Sequence, residues 1–294
     1  MSAELIKYMR NKYNITGDLR KVTTIDGYPH VNILSFDRDY FIKKVNRVYC
    51  RDINTLYNYL SNSKFVFLPT KTIDGEYGFV FNNEVYVVYP VLEEMHANIQ
   101  SFWWGIALKN VHNIEVKRTD FTRNYSIDSE SFDLFNKAKE SIDEDIKRIF
   151  GEMLDMYYFN GEINPETMVL SHGDPNDSNV MMHKTNIGLI DTEGMRLLPR
   201  EYDIQRLFYN EVNKGLDINE IDKYIHVFFY NYGNNVDMRL LKKLYVTDFI
   251  RTFSWLSLVT KDLSRDDIVR QKCELEKYKA SILSGMHSKV LKRM

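Results

Sequence analysis

Residues 170–194 read LSHGDPNDSNVMMHKTNIGLIDTEG, and this stretch determines how the rest of the chain is interpreted. Pro, Asn, Asp and Ser separate Asp174 from Asn179, and these residue types favour turns over helix. A short apolar run, VMMH, leads through a polar turn to a second run, IGLI, which Asp191 follows. Two short strands joined by a tight turn form a hairpin, so we predict that Asn179 and Asp191 lie at the same end of it.

These three oxygen-bearing side chains suit the transfer of a phosphoryl group from a nucleotide to an alcohol. Mg²⁺ prefers oxygen ligands, and beside nucleotide phosphates it takes one or two carboxylates from the protein. We therefore predict Asn179 and Asp191 as metal ligands and Asp174 as the general base that accepts a proton from a hydroxyl group. The alternative interpretation is structural: Asp174 would satisfy loop amides, and Asn179 and Asp191 would cap turns beside the hairpin.

The composition is that of an ordinary globular protein. The chain has 294 residues, of which 44% are hydrophobic and 27% charged, with a formal net charge of −2. This charge gives no indication of nucleic-acid binding, which usually requires a strong basic excess. Cys50 and Cys273 lie far apart, so no disulfide framework or CxxC metal site is predicted, and we expect a reduced, cytoplasmic setting. The sequence indicates no oligomeric state.

We predict neither a secretory signal nor a membrane span. The first residues, MSAELIKYMRNKYNI, space their apolar side chains at helical intervals and lack a continuous apolar core. No run approaches the ~18 apolar residues that cross a bilayer.

The pattern of apolar residues predicts an α+β protein with two lobes. Residues 1–90 indicate a mainly antiparallel sheet, with a first helix at 1–15, an inserted helix at 51–61 and a hairpin turning at Asn82-Asn83. Helical patterning dominates residues 91–294, apart from the hairpin described above. We therefore expect a small β-rich N-terminal lobe that binds nucleotide and a larger helical lobe, with a ligand cleft between them.

Several segments together resemble a known family. His-x-Asp, four residues, Asn, and a hairpin to a second Asp is the spacing of the protein-kinase catalytic loop. With Gly173 in place of the Arg of that motif, HGDPNDSN…IDTE resembles the aminoglycoside phosphotransferase and choline-kinase-like superfamily, the small-molecule branch of the eukaryotic-like kinases. Weaker resemblances extend from about Val22 to Phe208, in YFIKK (40–44), VYVVYPVL (85–92), GIALKNVHNI (105–114) and LPREYDIQRLF (198–208).

The resemblance implies a bilobal protein-kinase-like fold, a bound nucleotide and further site residues. Lys43 would contact nucleotide phosphates, while the adjacent Lys44 would face the opposite side of the strand. Kinases pair this lysine with a Glu on the inserted helix, but here that region offers only Asp52, so either Asp52 serves or the pair is absent. Tyr89 and Val91 would form the linker whose backbone binds the base of ATP or GTP.

Three residues are predicted in supporting roles. His172 would brace the backbone of the loop rather than meet substrate. Asp203 would anchor the catalytic loop from the start of a helix, the alternative being a direct role in the reaction. Glu193 would orient a metal-bound water or be a solvated acid. The loop near Gly27 lacks the GxGxxG pattern of phosphate-covering loops.

Three functions remain open from the sequence. The first is a Mg²⁺-dependent kinase that inactivates an aminoglycoside or another antibiotic at a hydroxyl group. The second keeps this chemistry but phosphorylates a metabolite such as choline, a sugar or an amino alcohol. The third is a kinase-shaped binding or scaffold protein without turnover. A protein substrate ranks lower, because Pro199 follows Asp191 by eight residues and leaves little room for an activation segment.

Overall fold

The structure is a computed structural model, and each part of the fold below refers to the residues that it describes. These are residues 3–14, 19–21, 33–36, 40–45, 48–90, 93–94, 100–122, 134–157, 164–183, 185–214, 217–259 and 275–294. The loop around Gly27 and the linker residue Val91 lie outside them.

The chain forms two compact units. Unit 1 comprises residues 1–98, 113–122 and 177–197, and unit 2 comprises residues 99–112, 123–176 and 198–294. The division into lobes after Pro90 stays a prediction.

Unit 1 contains a five-stranded antiparallel sheet with the strand order β1-β2-β3-β5-β4. Asn82 and Asn83 join β4 to β5, and both have positive φ, at 51° and 63°. Two consecutive residues with positive φ are typical of a two-residue hairpin turn, and asparagine adopts this conformation more readily than most residues. The predicted hairpin is therefore confirmed. The strands are β1 (Leu19–Lys21), β2 (Ile33–Phe36), β3 (Tyr40–Val45), β4 (Gly78–Phe81) and β5 (Glu84–Pro90).

Two helices belong to this sheet region. Helix α1 (Ala3–Tyr13) buries Leu5, Met9 and Tyr13, spaced four residues apart, in one cluster with sheet residues such as Ile42 and Phe79. Helix α2 (Ile53–Leu60) likewise buries an apolar face. Both helices were predicted from their periodicity, and both are confirmed.

A second, three-stranded sheet in unit 1 contains the hairpin predicted from residues 180–190. Strand β6 (Glu93–Glu94) pairs with β8 (Val180–His183), which pairs in turn with β9 (Asn186–Leu189). Gly188 on β9 lies under the ring of Phe67, where a Cβ atom would come within 2.9 Å of the ring.

Unit 2 is mainly helical, with helix α3 packed against α7 and α6 against α8. A Cβ atom on Gly105 of α3 would lie 2.7 Å from the carbonyl oxygen of Phe228 on α7, so glycine permits a close crossing of the two helices. Strand β7 (Met168–Ser171) forms a two-stranded sheet with β10 (Arg196–Pro199). The helices are α3 (Ser101–His112), α4 (134–138), α5 (Glu144–Tyr157), α6 (Arg200–Asn213), α7 (Ile218–Tyr232), α8 (Met238–Val259), α9 (275–283) and α10 (Met286–Arg293).

The mixture of small antiparallel sheets and helices confirms the predicted α+β class. Of the helices within the described residues, none combines the length and the apolar character that crossing a bilayer requires.

Candidate active site

The two predicted metal ligands flank the β8–β9 hairpin of unit 1. Asn179 directly precedes β8, and Asp191 follows Ile190 at the exit of β9. The Ile190 N–H donates to the Asn179 carbonyl oxygen at 3.0 Å, so the two ends of the hairpin lie side by side, as the sequence predicts. Asn179 is 8% exposed, whereas about half of the Asp191 side chain is exposed.

Asp191 has an unusual backbone conformation. Its φ and ψ are 57° and 37°, in the left-handed region that costs most L-residues roughly 1–2 kcal/mol. Aspartate and asparagine enter this region more readily than other non-glycine residues. Strained conformations of this kind concentrate at functional sites, which agrees with the role predicted for Asp191.

The donor set at the hairpin fits a magnesium ion that arrives with a nucleotide. Within the described residues, no group of three or more His, Cys, Asp and Glu side chains could hold a metal ion by itself. One carboxylate and one amide oxygen, completed by phosphate oxygens and water, are instead the ligands expected for Mg²⁺ beside a nucleotide. Asn179 and Asp191 supply these two groups.

Lys43 on β3 reaches the hairpin region of unit 1. Its ammonium group forms ion pairs with Asp191 and, at 3.0 Å, with Glu193. Burial alone would lower the pKa of Lys43, but the two carboxylates outweigh it and raise that pKa, so the side chain stays charged. The neighbouring Lys44 pairs with Glu84, in agreement with opposite directions for the two side chains along a strand.

Glu193 is buried, so of its two predicted roles that of a solvated acid is wrong, while that of orienting a metal-bound water stays a prediction. It is 3% exposed, and its Oε2 atom accepts from Lys43. The Tyr89 hydroxyl donates to Oε1 at 2.9 Å, and the Tyr57 hydroxyl lies 2.5 Å from that of Tyr89. Burial raises the pKa of both tyrosines well above the usual value, so both keep their protons.

The backbone of Tyr89 lies within the sheet. It belongs to β5, where it pairs with Phe41 of β3. Its predicted contact with a nucleotide base stays a prediction, and the same holds for Val91.

Asp52 does not pair with Lys43. Its carboxylate caps helix α2, accepting from the Thr55 N–H at 2.8 Å and the Thr55 hydroxyl at 2.7 Å, and it also accepts from Arg51 at 3.3 Å. Burial would raise the pKa of Asp52, but the hydrogen bonds from Thr55 and Arg51 hold it below the usual value. Of the two alternatives for Asp52, the structure therefore favours the absence of the pair, because a short side chain at the N-cap is already used by its own helix.

The loop that carries Asp174 lies in unit 2, where Asp203 of α6 holds its backbone. The two oxygens of the fully buried Asp203 carboxylate accept the N–H groups of His172 and Gly173, each at 2.8 Å. His112 lies 3.0 Å from the same carboxylate through Nε2. Burial would raise the pKa of Asp203, but the hydrogen bond and the charge interactions with His112 and His172 bring it below the usual value. These contacts are those expected of an anchor.

The ring of His112 is oriented from both sides. Because a carboxylate only accepts, Nε2 carries the proton that is shared with Asp203. Nδ1 lies 2.6 Å from the Tyr232 hydroxyl, so both ring nitrogens have hydrogen-bond partners. In the loop, the Nδ1 atom of His172 accepts the N–H of Asp174 at 3.4 Å, so this ring contacts backbone.

Gly173 is required for the shape of the loop. Its φ is +85°, which glycine adopts without the steric cost of a Cβ atom. We expect Gly173→Ala to lower the free energy of unfolding by about 1–2 kcal/mol, measured by urea denaturation. Gly151→Ala in helix α5 is the matched control, because open space surrounds that position and alanine favours helix. Equal stability of the Gly173→Ala variant and the parent protein would contradict this explanation.

Asp174 contacts a cation that the sequence analysis missed. About half of its side chain is exposed, and its Oδ1 atom lies 3.4 Å from Arg206 of α6, while Asn176 donates to Oδ2 at 3.1 Å. Arg206 is held in turn by the buried carboxylate of Asp248, at 2.7 Å. The carboxylate of Asp174 is therefore oriented by partners within unit 2.

One face of helix α6 contacts residues 172–175 of the loop. Asp203 binds the loop backbone, Arg206 binds Asp174, and Asn210 donates to the Pro175 carbonyl oxygen at 3.0 Å. These three positions follow the i, i+3, i+7 spacing of one helix face. A polar stripe of this spacing in the segment after IDTE is the signal that would have identified Arg206 and Asn210.

Comparisons with known proteins show the same fold in phosphotransferases that act on small molecules. No protein-family model and no curated protein matches the chain. Among solved structures, a spectinomycin phosphotransferase in complex with ADP and spectinomycin is 16% identical with a TM-score of 0.67, covering 96% of this chain and 98% of its own. A microcompartment-associated aminopropanol kinase is 12% identical with a TM-score of 0.64, covering 100% of both chains.

A third structure extends the comparison to choline and ethanolamine kinases. A choline/ethanolamine kinase family protein from Mesorhizobium loti is 12% identical with a TM-score of 0.55, covering 95% of this chain and 92% of its own. At these identities the comparison shows the fold alone, which this chain shares with the three structures.

Proposed function

We propose that this chain, which has the fold of the aminoglycoside phosphotransferase and choline-kinase-like superfamily, transfers the γ-phosphoryl group of ATP or GTP to a hydroxyl group of a small molecule. The observation that supports this most is the occurrence of HGDPNDSN…IDTE in that fold. The loop residues of the block are bound to a buried carboxylate, and its other half forms a tight hairpin.

Asn179 and Asp191 would hold Mg²⁺, and Lys43 would contact the phosphates. When bound, the ion supplies charge neutralisation for the phosphate oxygens. The amide and carboxylate at the end of the hairpin would provide the oxygen ligands, and Lys43 of β3, in the same unit, would provide a cation beside Asp191. Asn179, Asp191 and Lys43 thus account for binding and orienting the donor.

Asp174 would act as the general base. The acceptor oxygen forms a bond to the γ-phosphorus, the bond from that phosphorus to the bridging oxygen breaks, and a nucleoside diphosphate leaves. The proton of the acceptor hydroxyl passes to the Asp174 carboxylate. Arg206 and Asn176 support this role because they fix the direction of the carboxylate while leaving about half of it exposed.

The acceptor that we favour is an aminoglycoside or another hydroxylated antibiotic, so that the protein would be a resistance enzyme. The likeness to a spectinomycin phosphotransferase over nearly the full length of both chains supports this choice. A metabolite kinase is the second candidate, because an aminopropanol kinase aligns over the whole of both chains. A cytoplasmic location would agree with either, since both use nucleoside triphosphate.

A non-catalytic binding or scaffold protein is the third candidate. It would have no need of Asp174, Asn179 and Asp191 together, which argues against it. Binding of nucleotide without phosphoryl transfer to any acceptor would favour it.

A nucleotide-consumption screen tests the proposal. The purified chain is incubated with ATP or GTP, Mg²⁺ and a panel of aminoglycosides, other antibiotics, choline, amino alcohols and sugars. We expect acceptor-dependent release of nucleoside diphosphate that stops when EDTA removes Mg²⁺. Protection of an antibiotic-sensitive host would identify the first candidate, and turnover with metabolites alone the second. Absence of nucleotide binding by calorimetry would refute the proposed function.

A further inference from the structure

We propose that Glu193, held by the buried Tyr57–Tyr89 pair, is the positioning residue that orients Lys43 toward nucleotide phosphates. This inference rests on the proposed function, because it assigns a partner to the lysine of the nucleotide site. In this arrangement Glu193, two residues beyond Asp191, takes the place of the helix acid that α2 lacks.

Helix α2 carries no carboxylate that could contact Lys43, and it carries Tyr57 instead, which reaches Glu193 through Tyr89. Its eight residues, INTLYNYL, contain no acid, and the preceding Asp52 is used as the N-cap. The buried face of α2 consists of Ile53, Leu56, Tyr57 and Leu60, so Tyr57 supplies the polar group of that face. Tyr57 is fully buried and its hydroxyl contacts Tyr89 on β5.

The hydrogen bonds from Tyr89 and from Lys43 both end on the carboxylate of Glu193. Tyr89 donates to Glu193, because a carboxylate only accepts. Tyr89 therefore accepts from Tyr57, and its single proton is used on Glu193. The second oxygen of Glu193 accepts from Lys43 at 3.0 Å. Both oxygens of a 3% exposed carboxylate are thus satisfied, one by a neutral donor and one by a cation.

The arrangement allows Lys43 to change partners without becoming an unpaired charge. Lys43 now contacts both Asp191 and Glu193. When it moves from Asp191 to a phosphate oxygen, Glu193 remains as its counter-ion on the buried side. An isolated ammonium group at a partly buried position would be costly, so Glu193 lowers the free energy of the phosphate-bound arrangement.

Affinity measurements on the full chain test this inference. Calorimetric titration compares ATP, or GTP if that is the donor, with its nucleoside, which has no phosphate. We expect Glu193→Gln to weaken triphosphate binding by about 10- to 100-fold and to leave nucleoside binding unchanged. Tyr57→Phe removes one hydroxyl group of the network, and we expect a smaller loss of about 3- to 10-fold for the triphosphate alone. This milder variant keeps the test decisive if Glu193→Gln fails to fold.

A neighbouring cluster on the same strands provides the control. Lys44 pairs with Glu84, and Tyr86 donates to the other oxygen of Glu84 at 2.6 Å, so this cluster has the same Lys–Glu–Tyr contacts at a more exposed position. We expect Glu84→Gln and Tyr86→Phe to leave both affinities unchanged.

A double-mutant cycle separates positioning from general loss of structure. If Glu193 acts through Lys43, Glu193→Gln causes no further loss of triphosphate affinity in a Lys43→Met background. Equal weakening of nucleoside and triphosphate binding, or additive losses in the cycle, would overturn the inference. Failure of the parent protein to bind any nucleotide would reject the proposed function as well, whereas normal binding by Glu193→Gln would reject this inference alone.

Discussion

Replacing Asp174 with asparagine is expected to lower the turnover number by about 100- to 10,000-fold, the usual contribution of a positioned general base. Asparagine keeps the size of the side chain and an oxygen that accepts from Arg206, but it does not accept the proton of the acceptor hydroxyl. Asp174 is assigned no contact with the nucleotide. The calorimetric affinity for nucleotide should therefore stay within about twofold of the parent protein.

Asp177→Asn is the matched control for this experiment. Asp177 lies three residues further along the same acidic loop, and no role in the proton transfer is assigned to it. Both variants are assayed with the acceptor that the screen identifies. Parental turnover in Asp174→Asn, or an equal loss in Asp177→Asn, would show that Asp174 is not the base.

Replacing Asp203 with alanine is expected to lower the free energy of unfolding by about 3–5 kcal/mol, because its partners lose a buried acceptor. The N–H groups of His172 and Gly173 and the ring of His112 would be left without the carboxylate. Asp203→Asn retains one acceptor oxygen, so its loss should be smaller. Urea denaturation measures both, with Asp222→Asn on the surface of α7 as a control expected within about 0.5 kcal/mol of the parent protein.

The direction of the Asp203 pKa shift adds a pH dependence to this prediction. The pKa of Asp203 in the folded protein is below the usual value, whereas in the unfolded chain the pKa of an aspartate is about 3.9. The stability contributed by ionised Asp203 is therefore complete above about pH 5 and is lost as pH falls through the folded value. The difference in stability between the parent protein and Asp203→Asn should shrink below about pH 4. A difference that grows with acid would contradict the assigned cause.

Local signals in the sequence were sufficient for much of the fold. The hairpin at Asn82-Asn83 was predictable because its turn needs two positive φ angles, which asparagine accepts. The hairpin that ends at Asp191 was predictable because two short apolar runs flank a polar turn. Helix α1 followed from apolar residues spaced four apart. In each case the determining interactions lie within about a dozen residues.

The contacts of the site residues were predictable only in part, because they join distant segments. Lys43 and Glu193 are 150 residues apart, and no spacing rule connects them. For Asp52 the resemblance left two alternatives, a pair with Lys43 or no pair. Its own helix uses it as a cap, and this local contact outweighs a longer-range one for so short a side chain. The absence of an acid on α2 was visible in the sequence. Tyr57, the polar residue on the buried face of that helix, was a further indication that a different group orients Lys43.

The close crossing at Gly105 bears on how mutational data for this protein are to be interpreted. Helix α3 ends at His112, so the crossing that glycine permits with α7 also determines where the His112 ring meets Asp203. A larger side chain at position 105 would separate the two helices and displace that ring. In a saturation screen scored by growth, sensitivity at Gly105, two helical turns before His112, would therefore reflect distorted loop geometry rather than contact with a substrate.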